Sequence, residues 1–197
     1  MKISELSTKL DDSVAQIDQL RSHLADAKDE ALHDPLTGLG NRRFFDLKLN
    51  QAFDAARAEA SELCLTVCDF DRFKSINDKF GHPVGDTVLK LFGEILSSNV
   101  KGKDTVARIG GEEFAIIFPN TKMADAVTVT EQIRGQLEAK KWMLGSSGTA
   151  LGTVTASFGV AGLREGEGTE ELFQRADRAL YQAKSDGRNR VVSEKEL

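Results

Sequence analysis

The chain has 197 residues, of which 40% are hydrophobic and 29% are charged, a composition typical of a folded domain and not of a disordered chain. Its formal net charge of -5 argues against a nucleic-acid partner, because neutralising a phosphate backbone requires a basic face. No segment approaches the roughly 20 apolar residues of a membrane span, and the N-terminus does not read as a signal peptide. We therefore expect a cytoplasmic location.

Residues 3–31 carry a heptad pattern. Ile3, Leu10, Ile17, Leu24 and Ala31 are seven apart, and Leu6, Leu20 and Ala27 fill intermediate positions, with Ser13 as a gap. A lone helix would leave this narrow apolar stripe exposed, whereas a parallel two-stranded coiled coil buries it. We predict a dimerising stalk over residues 1–33. The alternative is a single helix packed on its own domain or on an upstream domain.

The second predicted domain covers residues 34–197 and begins where Asp34-Pro35 breaks the helix. Hydrophobic periodicity predicts helices at 41–60, 72–80, 85–99, 122–140 and 169–186, and strands at 63–69, 104–109, 112–118, 141–144, 153–161 and 190–192, with a polar loop at 145–152. Gly110-Gly111 predicts a tight hairpin with a primed turn. Helices interleaved with strands and a hairpin predict an α/β or α+β fold, with a mixed central sheet flanked by helices.

Two further patterns concern burial. Cys64 and Cys68 lie along one predicted strand, about 13 Å apart, which is too far for a disulfide, so we expect two buried free thiols. The helix at 41–60 is expected to bury one apolar face, formed by Phe44, Leu47, Leu49, Ala52, Phe53 and Ala56.

Acidic residues stand at the end of the strand at 63–69, in the run Asp69-Phe70-Asp71. Ligands in α/β folds collect at the carboxyl ends of strands. Carboxylates near a core edge are costly without compensation, so this pair favours a bound cation. The alternative is that Asp71 caps the helix that follows.

A second acidic pair follows the two glycines, in Gly110-Gly111-Glu112-Glu113. Glycines without side chains let a ligand approach the backbone closely. Two adjacent carboxylates at a tight turn suggest a positively charged partner. The alternative is an acidic turn that is simply solvated.

Polar residues on the later segments could recognise a nucleotide. Lys74 lies one helical turn from Asp71 and could meet a phosphate or that carboxylate. Asn77 and Asp86 offer the amide and the carboxylate that a guanine edge requires, although caps and surface contacts are alternatives. Lys184 and Arg188 could reach triphosphate oxygens or complement the helix dipole.

Over residues 32–195 the chain resembles the GGDEF family of diguanylate cyclases. The resemblance is carried by separated motifs in one order, namely DPLTGLGNRR from Asp34, DFDRFKSIND from Asp69, GHPVGD from Gly81, RIGGEEF from Arg108, SFGV from Ser157 and ADRALYQAKSDGRN from Ala176. The signature tetrad reads Gly-Gly-Glu-Glu, a common active variant with glutamate in place of aspartate.

The resemblance implies a palm-like domain that holds one GTP, and two domains that together form cyclic di-GMP and two pyrophosphates. A catalytically silent module that binds GTP or cyclic di-GMP is the alternative. By motif position, Mg²⁺, or Mn²⁺ in its place, would be bound by Asp69, the Phe70 carbonyl, Glu112 and, for a second ion, Glu113, which could instead deprotonate the 3′-hydroxyl. GTP would be bound by Lys74, Asn77, Asp86, Lys184, Arg188, Phe73, Gly110 and Gly111, with Glu112, Glu113 and Lys74 catalytic.

The family's product-inhibition motif, Arg-x-x-Asp, is altered here to Lys101-Gly102-Lys103-Asp104. Lysine lacks the planar fork with which arginine stacks on guanine and grips phosphate. We therefore predict weak or absent inhibition by cyclic di-GMP through Lys101 and Asp104. We also expect homodimerisation through the stalk and control by an upstream sensor domain.

Overall fold

A computed structural model describes residues 31–144 and 149–196, together with positions 16, 17, 19 and 23. Those four positions are helical, and the rest of the stalk predicted at 1–33 lies outside the described residues apart from residues 31–33. In the described part of the chain, no helix is both long enough and apolar enough to cross a membrane.

Helices and strands alternate along the described part of residues 34–197. The helices are α1 (Arg42–Glu59), α2 (Phe73–Phe80), α3 (His82–Asn99), α4 (Met123–Ala139) and α5 (Thr169–Ser185). The strands are β1 (Leu63–Phe70), β2 (Thr105–Arg108), β3 (Glu113–Pro119), β4 (Trp142–Leu144), β5 (Thr149–Gly152), β6 (Ala156–Gly162) and β7 (Val191–Ser193), followed by a 3₁₀ helix (Glu194–Glu196).

The central sheet has the strand order β2-β3-β1-β6-β7. β1 runs antiparallel to both of its neighbours, and β7 runs parallel to β6, so the predicted mixed sheet is confirmed. β4 and β5 form a separate two-stranded ribbon. The polar loop predicted at 145–152 is therefore wrong over Thr149–Gly152, because pairing with β4 orders a segment whose own sequence has no clear alternation.

β1 is buried along its whole length because helices cover both faces of the sheet. One face carries an aromatic cluster in which the ring of Phe92 packs edge-on against Phe70 and Phe114. The opposite face packs against α1 and α5. Cys64 and Cys68 are buried and unpaired in this strand, as predicted.

The buried face of α1 is formed by Phe45, Leu49 and Ala56. Leu47, which was expected to be buried, is 45% exposed. The prediction for Leu47 was wrong because the helix turns Phe45 towards the core instead.

The connection between β2 and β3 differs from the predicted primed turn. Neither Gly110 nor Gly111 is among the described glycines with positive φ. The backbone N–H groups of Ile109 and Gly110 both donate to the Glu113 carbonyl, at 2.9 and 3.2 Å. A Cβ at Gly110 would lie 2.2 Å from Glu113 Oε2, so a side chain at this position would require the Glu113 carboxylate to move.

A buried ion-pair network joins α5 to the 3₁₀ helix. Arg175 is 7% exposed and donates to the carboxylates of Glu167 and Glu194 and to the Gly162 carbonyl. Glu194 also accepts from the Gly162 N–H at 3.0 Å and from Arg164 at 2.9 Å. The residues that follow β7 therefore belong to the packed structure.

Candidate active site

The end of β1 lies beside the glycine turn. Asp69 is paired with Glu113 in the antiparallel register of β1 and β3, and the Phe70 N–H donates to the Glu112 carbonyl at 3.4 Å. The end of β1 and the glycine turn are therefore neighbours, as a metal site shared by Asp69 and Glu112 requires.

Asp69 is an almost fully buried carboxylate, 7% exposed, and Lys184 of α5 is its ion-pair partner. Lys184 Nζ lies 2.7 Å from Asp69 Oδ1. Burial raises the pKa of Asp69, and the negative charge of Asp71 adds to this rise, while Lys184 opposes it. The role of Lys184 is therefore not limited to complementing the helix dipole, because its ammonium group neutralises the buried Asp69 carboxylate at the end of β1.

Glu112 belongs to the same electrostatic cluster. Burial raises the pKa of Glu112, the negative charges of Asp69 and Glu113 raise it further, and Lys184 lowers it. A carboxylate whose pKa is raised by neighbouring negative charges favours a cation beside it. Glu113 is exposed, and its carboxylate lies against Gly110 at the edge of the cluster.

The oxygen atoms at this point suit a hard divalent cation. The carboxylates of Asp69 and Glu112, with the backbone carbonyl of Phe70, form the kind of donor set that Mg²⁺ prefers. Among residues 31–144 and 149–196, no three His, Cys, Asp or Glu side chains are grouped so as to hold a metal by themselves. A metal would therefore need further oxygens from the backbone, from water or from a ligand.

Asp71 does not cap the following helix. The N-cap of α2 is Arg72, without a side-chain cap, and the Asp71 carboxylate is occupied elsewhere. It accepts hydrogen bonds from Thr155 Oγ1 and Ser157 Oγ, both at 2.7 Å, and from the Asn189 N–H at 3.0 Å. Asp71 therefore joins the end of β1 to β6 and to the segment before β7, and its oxygens already have donors.

Two neighbouring residues of α2 differ in burial, since Phe73 is buried and Lys74 is exposed. Phe73 is 6% exposed and stacks on Phe70 with ring centroids 5.4 Å apart, so it forms part of the floor beneath the site. Lys74 is exposed and forms no ion pair within the described part of the chain, so the expected contact with Asp71 does not form. Its ammonium group remains available to a phosphate.

Asn77 presents an amide oxygen that is buried and without a hydrogen-bond partner in the described structure. The neighbouring Gly85 is buried, and a Cβ at this position would lie 2.0 Å from that oxygen. Asp86 is exposed, four residues after the start of α3 at His82. A buried acceptor without a donor is costly, so Asn77 favours a ligand that donates to it.

Sequence reasoning missed the role of Arg108. One of its guanidinium nitrogens, Nη1, donates to both carboxylate oxygens of Asp34, at 3.1 and 3.2 Å, and Nη2 donates to the Gly111 carbonyl at 2.7 Å. The Asp34 carboxylate also accepts from Thr37. Asp34 and Arg108 both belong to motifs that carry the family resemblance, and this was the one sequence feature that could have suggested an ion pair between them beside the glycine turn.

Lys101 and Asp104 lie apart from the acidic cluster, at the start of β2. The Lys101 N–H donates to Asp104 Oδ2 at 3.1 Å. Both residues line a cleft of about 350 Å³ against α1, together with Asn120. Burial raises the pKa of Asp104, and the hydrogen bond from Lys101 opposes this rise.

A mixed five-stranded sheet, with the buried carboxylate of Asp69 at one strand end and a glycine turn beside it, defines an α/β domain with an acidic site. The family profile described as diguanylate cyclase, GGDEF domain, matches residues 31–190, and the chain belongs to this family.

Curated relatives share extensive sequence with the chain. The response regulator PleD of Caulobacter vibrioides is 41% identical over 176 residues, which are 89% of this chain and 38% of the relative. The diguanylate cyclase VdcA of Vibrio cholerae is 37% identical over 187 residues, which are 95% of this chain and 54% of the relative. The chain thus spans about half the length of these relatives or less.

Solved structures match the fold. The coiled coil and GGDEF domain of DgcB from Caulobacter crescentus, in complex with c-di-GMP, has a TM-score of 0.92 at 37% identity, covering 95% of this chain and 98% of that one. The active GGEEF domain of a diguanylate cyclase from Vibrio cholerae has a TM-score of 0.73 at 33% identity, covering 79% and 97%.

Proposed function

We propose that the chain is a diguanylate cyclase that condenses two GTP molecules into cyclic di-GMP and two pyrophosphates. The observation that carries this proposal is the cluster of Asp69, Glu112 and Lys184 beside the Gly110-Gly111 turn. Family membership and the names of the curated relatives support the same activity.

In this proposal Mg²⁺, or Mn²⁺, is held by Asp69, Glu112 and the Phe70 carbonyl. When bound, the ion neutralises charge on the triphosphate. The oxygen donor set and the raised pKa values of Asp69 and Glu112 support this assignment. Glu113, exposed at the rim, is placed to accept the proton of a 3′-hydroxyl or to assist a second ion.

The chain's own residues then orient the nucleotide. Asn77 and Asp86 read the guanine edge, and the unpartnered Asn77 oxygen supports this role. Lys74, Lys184 and Arg188 contact the phosphates, and Gly110 and Gly111 let the nucleotide approach the backbone. Phe73 supports the pocket from below.

Bond formation requires two such domains. The 3′-oxygen of one GTP attacks the α-phosphorus of the other, its proton passes to a base such as Glu113, and pyrophosphate leaves. The second ester bond forms in the same way and closes the ring. Catalysis of this kind rests on positioning and charge neutralisation.

In this proposal the stalk joins two copies of the chain and so brings the second catalytic domain close to the first. The match to DgcB covers 95% of the chain when the coiled coil is present and 84% for the GGDEF domain alone, which supports a coiled coil over residues 1–33 and a catalytic domain over 34–197. Linking two domains raises their effective concentration. A longer protein with an upstream sensor would act through this stalk, and the greater length of the relatives supports that arrangement.

The test is incubation with GTP and Mg²⁺, followed by chromatography of the products over a range of protein concentrations. We expect cyclic di-GMP and pyrophosphate from the wild type and none from Glu112→Ala or Glu113→Ala. Glu170→Ala, an exposed glutamate in the first turn of α5, is the matched control and should retain full turnover. Nucleotide binding without product in the wild type would instead establish the silent binding module.

A further inference from the structure

Asn189 lies next to Arg188, a proposed phosphate ligand, and its backbone N–H and both polar atoms of its side chain form hydrogen bonds. Its backbone N–H donates to Asp71 Oδ2 at 3.0 Å, and its side-chain Nδ2 donates to Glu138 at 2.7 Å. Its side-chain Oδ1 accepts from Arg134 Nη1 at 2.9 Å. Asn189 is thus tied both to the end of β1 and to α4.

The backbone at this point is strained. Arg188 and Asn189 both have positive φ, at 69° and 47°. Asparagine tolerates the left-handed backbone conformation, whereas a residue with a longer side chain, such as arginine, adopts it at a cost in conformational energy. Residues held in such conformations persist when surrounding contacts fix them, and these residues cluster at ligand sites.

Arg134 completes the anchor on α4. It is held along its own helix by Glu131 at 2.7 Å and by Glu138 at 2.8 Å. These two carboxylates therefore hold in place the Arg134 guanidinium group that donates to Asn189. Arg134 on α4 binds the side chain of Asn189, and the Asp71 carboxylate binds its backbone N–H. Because Asn189 is held by both contacts, the backbone of the preceding residue, Arg188, is held as well.

We propose that Asn189 is a positioning residue that, with Arg134, fixes Arg188 relative to the acidic end of β1 so that it meets the triphosphate. This inference rests on the proposed function. The same Asp71 carboxylate that accepts from Asn189 lies two positions after Asp69, so the phosphate-binding side and the cation-binding side share one hydrogen-bonded frame.

The test measures binding of 3′-deoxy-GTP, which cannot be condensed, and of GMP, both with Mg²⁺ and by calorimetry. Asn189→Gly keeps a residue suited to positive φ and removes both side-chain contacts, and Arg134→Ala removes one of them from a helix surface. We expect each to weaken binding of 3′-deoxy-GTP roughly tenfold, by analogy with the hydrogen-bond partners of metal ligands, whose loss typically lowers metal affinity 10- to 100-fold. GMP affinity should not change, and Arg134→Lys should recover part of the loss.

Gln136→Ala is the matched control. Gln136 joins α4 to α3 through paired amide contacts with Asn99, at 2.9 and 3.0 Å, and does not touch the Arg188 segment. It should leave both affinities unchanged. Equal losses for GMP and 3′-deoxy-GTP, or no loss in either variant while Arg188→Ala weakens 3′-deoxy-GTP, would overturn the inference. A wild type that binds neither nucleotide would overturn the proposed function and the inference with it.

Discussion

Lys184 Nζ lies 2.7 Å from Asp69 Oδ1, so an ammonium group on α5 neutralises the buried end of the central strand. Burying an ionised carboxylate is unfavourable unless it is paired. In the absence of metal, Lys184 therefore supplies the positive charge that the site requires. In the proposed function, the same ammonium group would contact a phosphate of the bound nucleotide.

The first prediction concerns Lys184→Met. Asp69 loses its ion-pair partner, so without metal the free energy of unfolding should fall by about 1–3 kcal/mol, the cost of a buried polar group left unpaired. Mg²⁺ should restore much of this loss, because the ion replaces the missing charge. Urea unfolding with and without Mg²⁺ measures both effects. Lys90→Met, at an exposed position of α3, is the control, and an equal loss in the two variants would contradict the prediction.

The second prediction concerns Asp34 and pH. Burial opposes the shift, but hydrogen bonds from Thr37 and Arg108 lower the pKa of Asp34 below 3.8. A lowered folded-state pKa contributes stability above pH 3.8, and this stability is lost as the pH falls through the folded-state value. Asp34→Asn should therefore cost about 2 kcal/mol near neutral pH and progressively less in acid.

Urea unfolding of wild type and Asp34→Asn, from neutral pH into acid, measures whether the loss of stability becomes smaller as the pH falls. Asp46→Asn is the matched control, because Asp46 pairs with Arg42 across one helical turn with both side chains more than half exposed. Such a pair contributes about 0.3–0.5 kcal/mol. A difference between wild type and Asp34→Asn that stays constant into acid would show that the carboxylate charge is not the cause.

The third prediction concerns Gly85→Ala. The added methyl group would lie 2.0 Å from Asn77 Oδ1, so the amide must move away from its present position. If Asn77 reads guanine, binding of GTP should weaken about tenfold, since a hydrogen bond to a base edge is worth about 1–3 kcal/mol. Calorimetry with 3′-deoxy-GTP measures this loss. Gly135→Ala, whose added Cβ meets nothing within 4 Å, should bind normally.

The fourth prediction concerns product inhibition. The wild type should bind cyclic di-GMP weakly at the cleft of Lys101 and Asp104, whereas Lys101→Arg should bind it at least about tenfold more tightly through a bidentate fork. The double variant Lys101→Arg, Asp104→Ala should lose this gain. Calorimetry measures all three proteins, and submicromolar wild-type affinity that disappears on Asp104→Ala would refute the prediction.

The fifth prediction concerns the stalk. Deletion of residues 1–31 should lower turnover at low protein concentration and have less effect at high concentration, because the second domain must then be found by diffusion. Sedimentation and turnover, measured over the same range of concentrations, test this expectation. Dimerisation and turnover that do not change on deletion would exclude a dimerising stalk.

Much of the fold was predictable because its signals are local. Alternation and helical periodicity identified the segments that became β1, β3, β6 and the helices to within a few residues. β5 was missed because its strand state depends on pairing with β4, and Leu47 was misplaced because two apolar faces compete on α1. Strand pairing and helix rotation are decided by tertiary contacts.

The site was predictable only in part. The convergence of Asp69 with the Glu112 turn follows from a strand end and a hairpin in one sheet. The pairing of Lys184 with Asp69 and the three donors to Asp71 could not be foreseen, because they join segments more than 80 positions apart in the chain. Local patterns contain no information about such side-chain distances.

The Arg175 network has a practical consequence for how this domain is joined to other sequences. Glu194 is one of the two carboxylates that neutralise a guanidinium group enclosed by the fold, and it also accepts from the Gly162 N–H at the end of β6. A fusion junction or a protease cut placed directly after β7 would remove that carboxylate and leave Arg175 Nη1 and the Gly162 N–H without the acceptor that they share. The safe boundary for linking a tag or a neighbouring module therefore falls beyond the 3₁₀ turn.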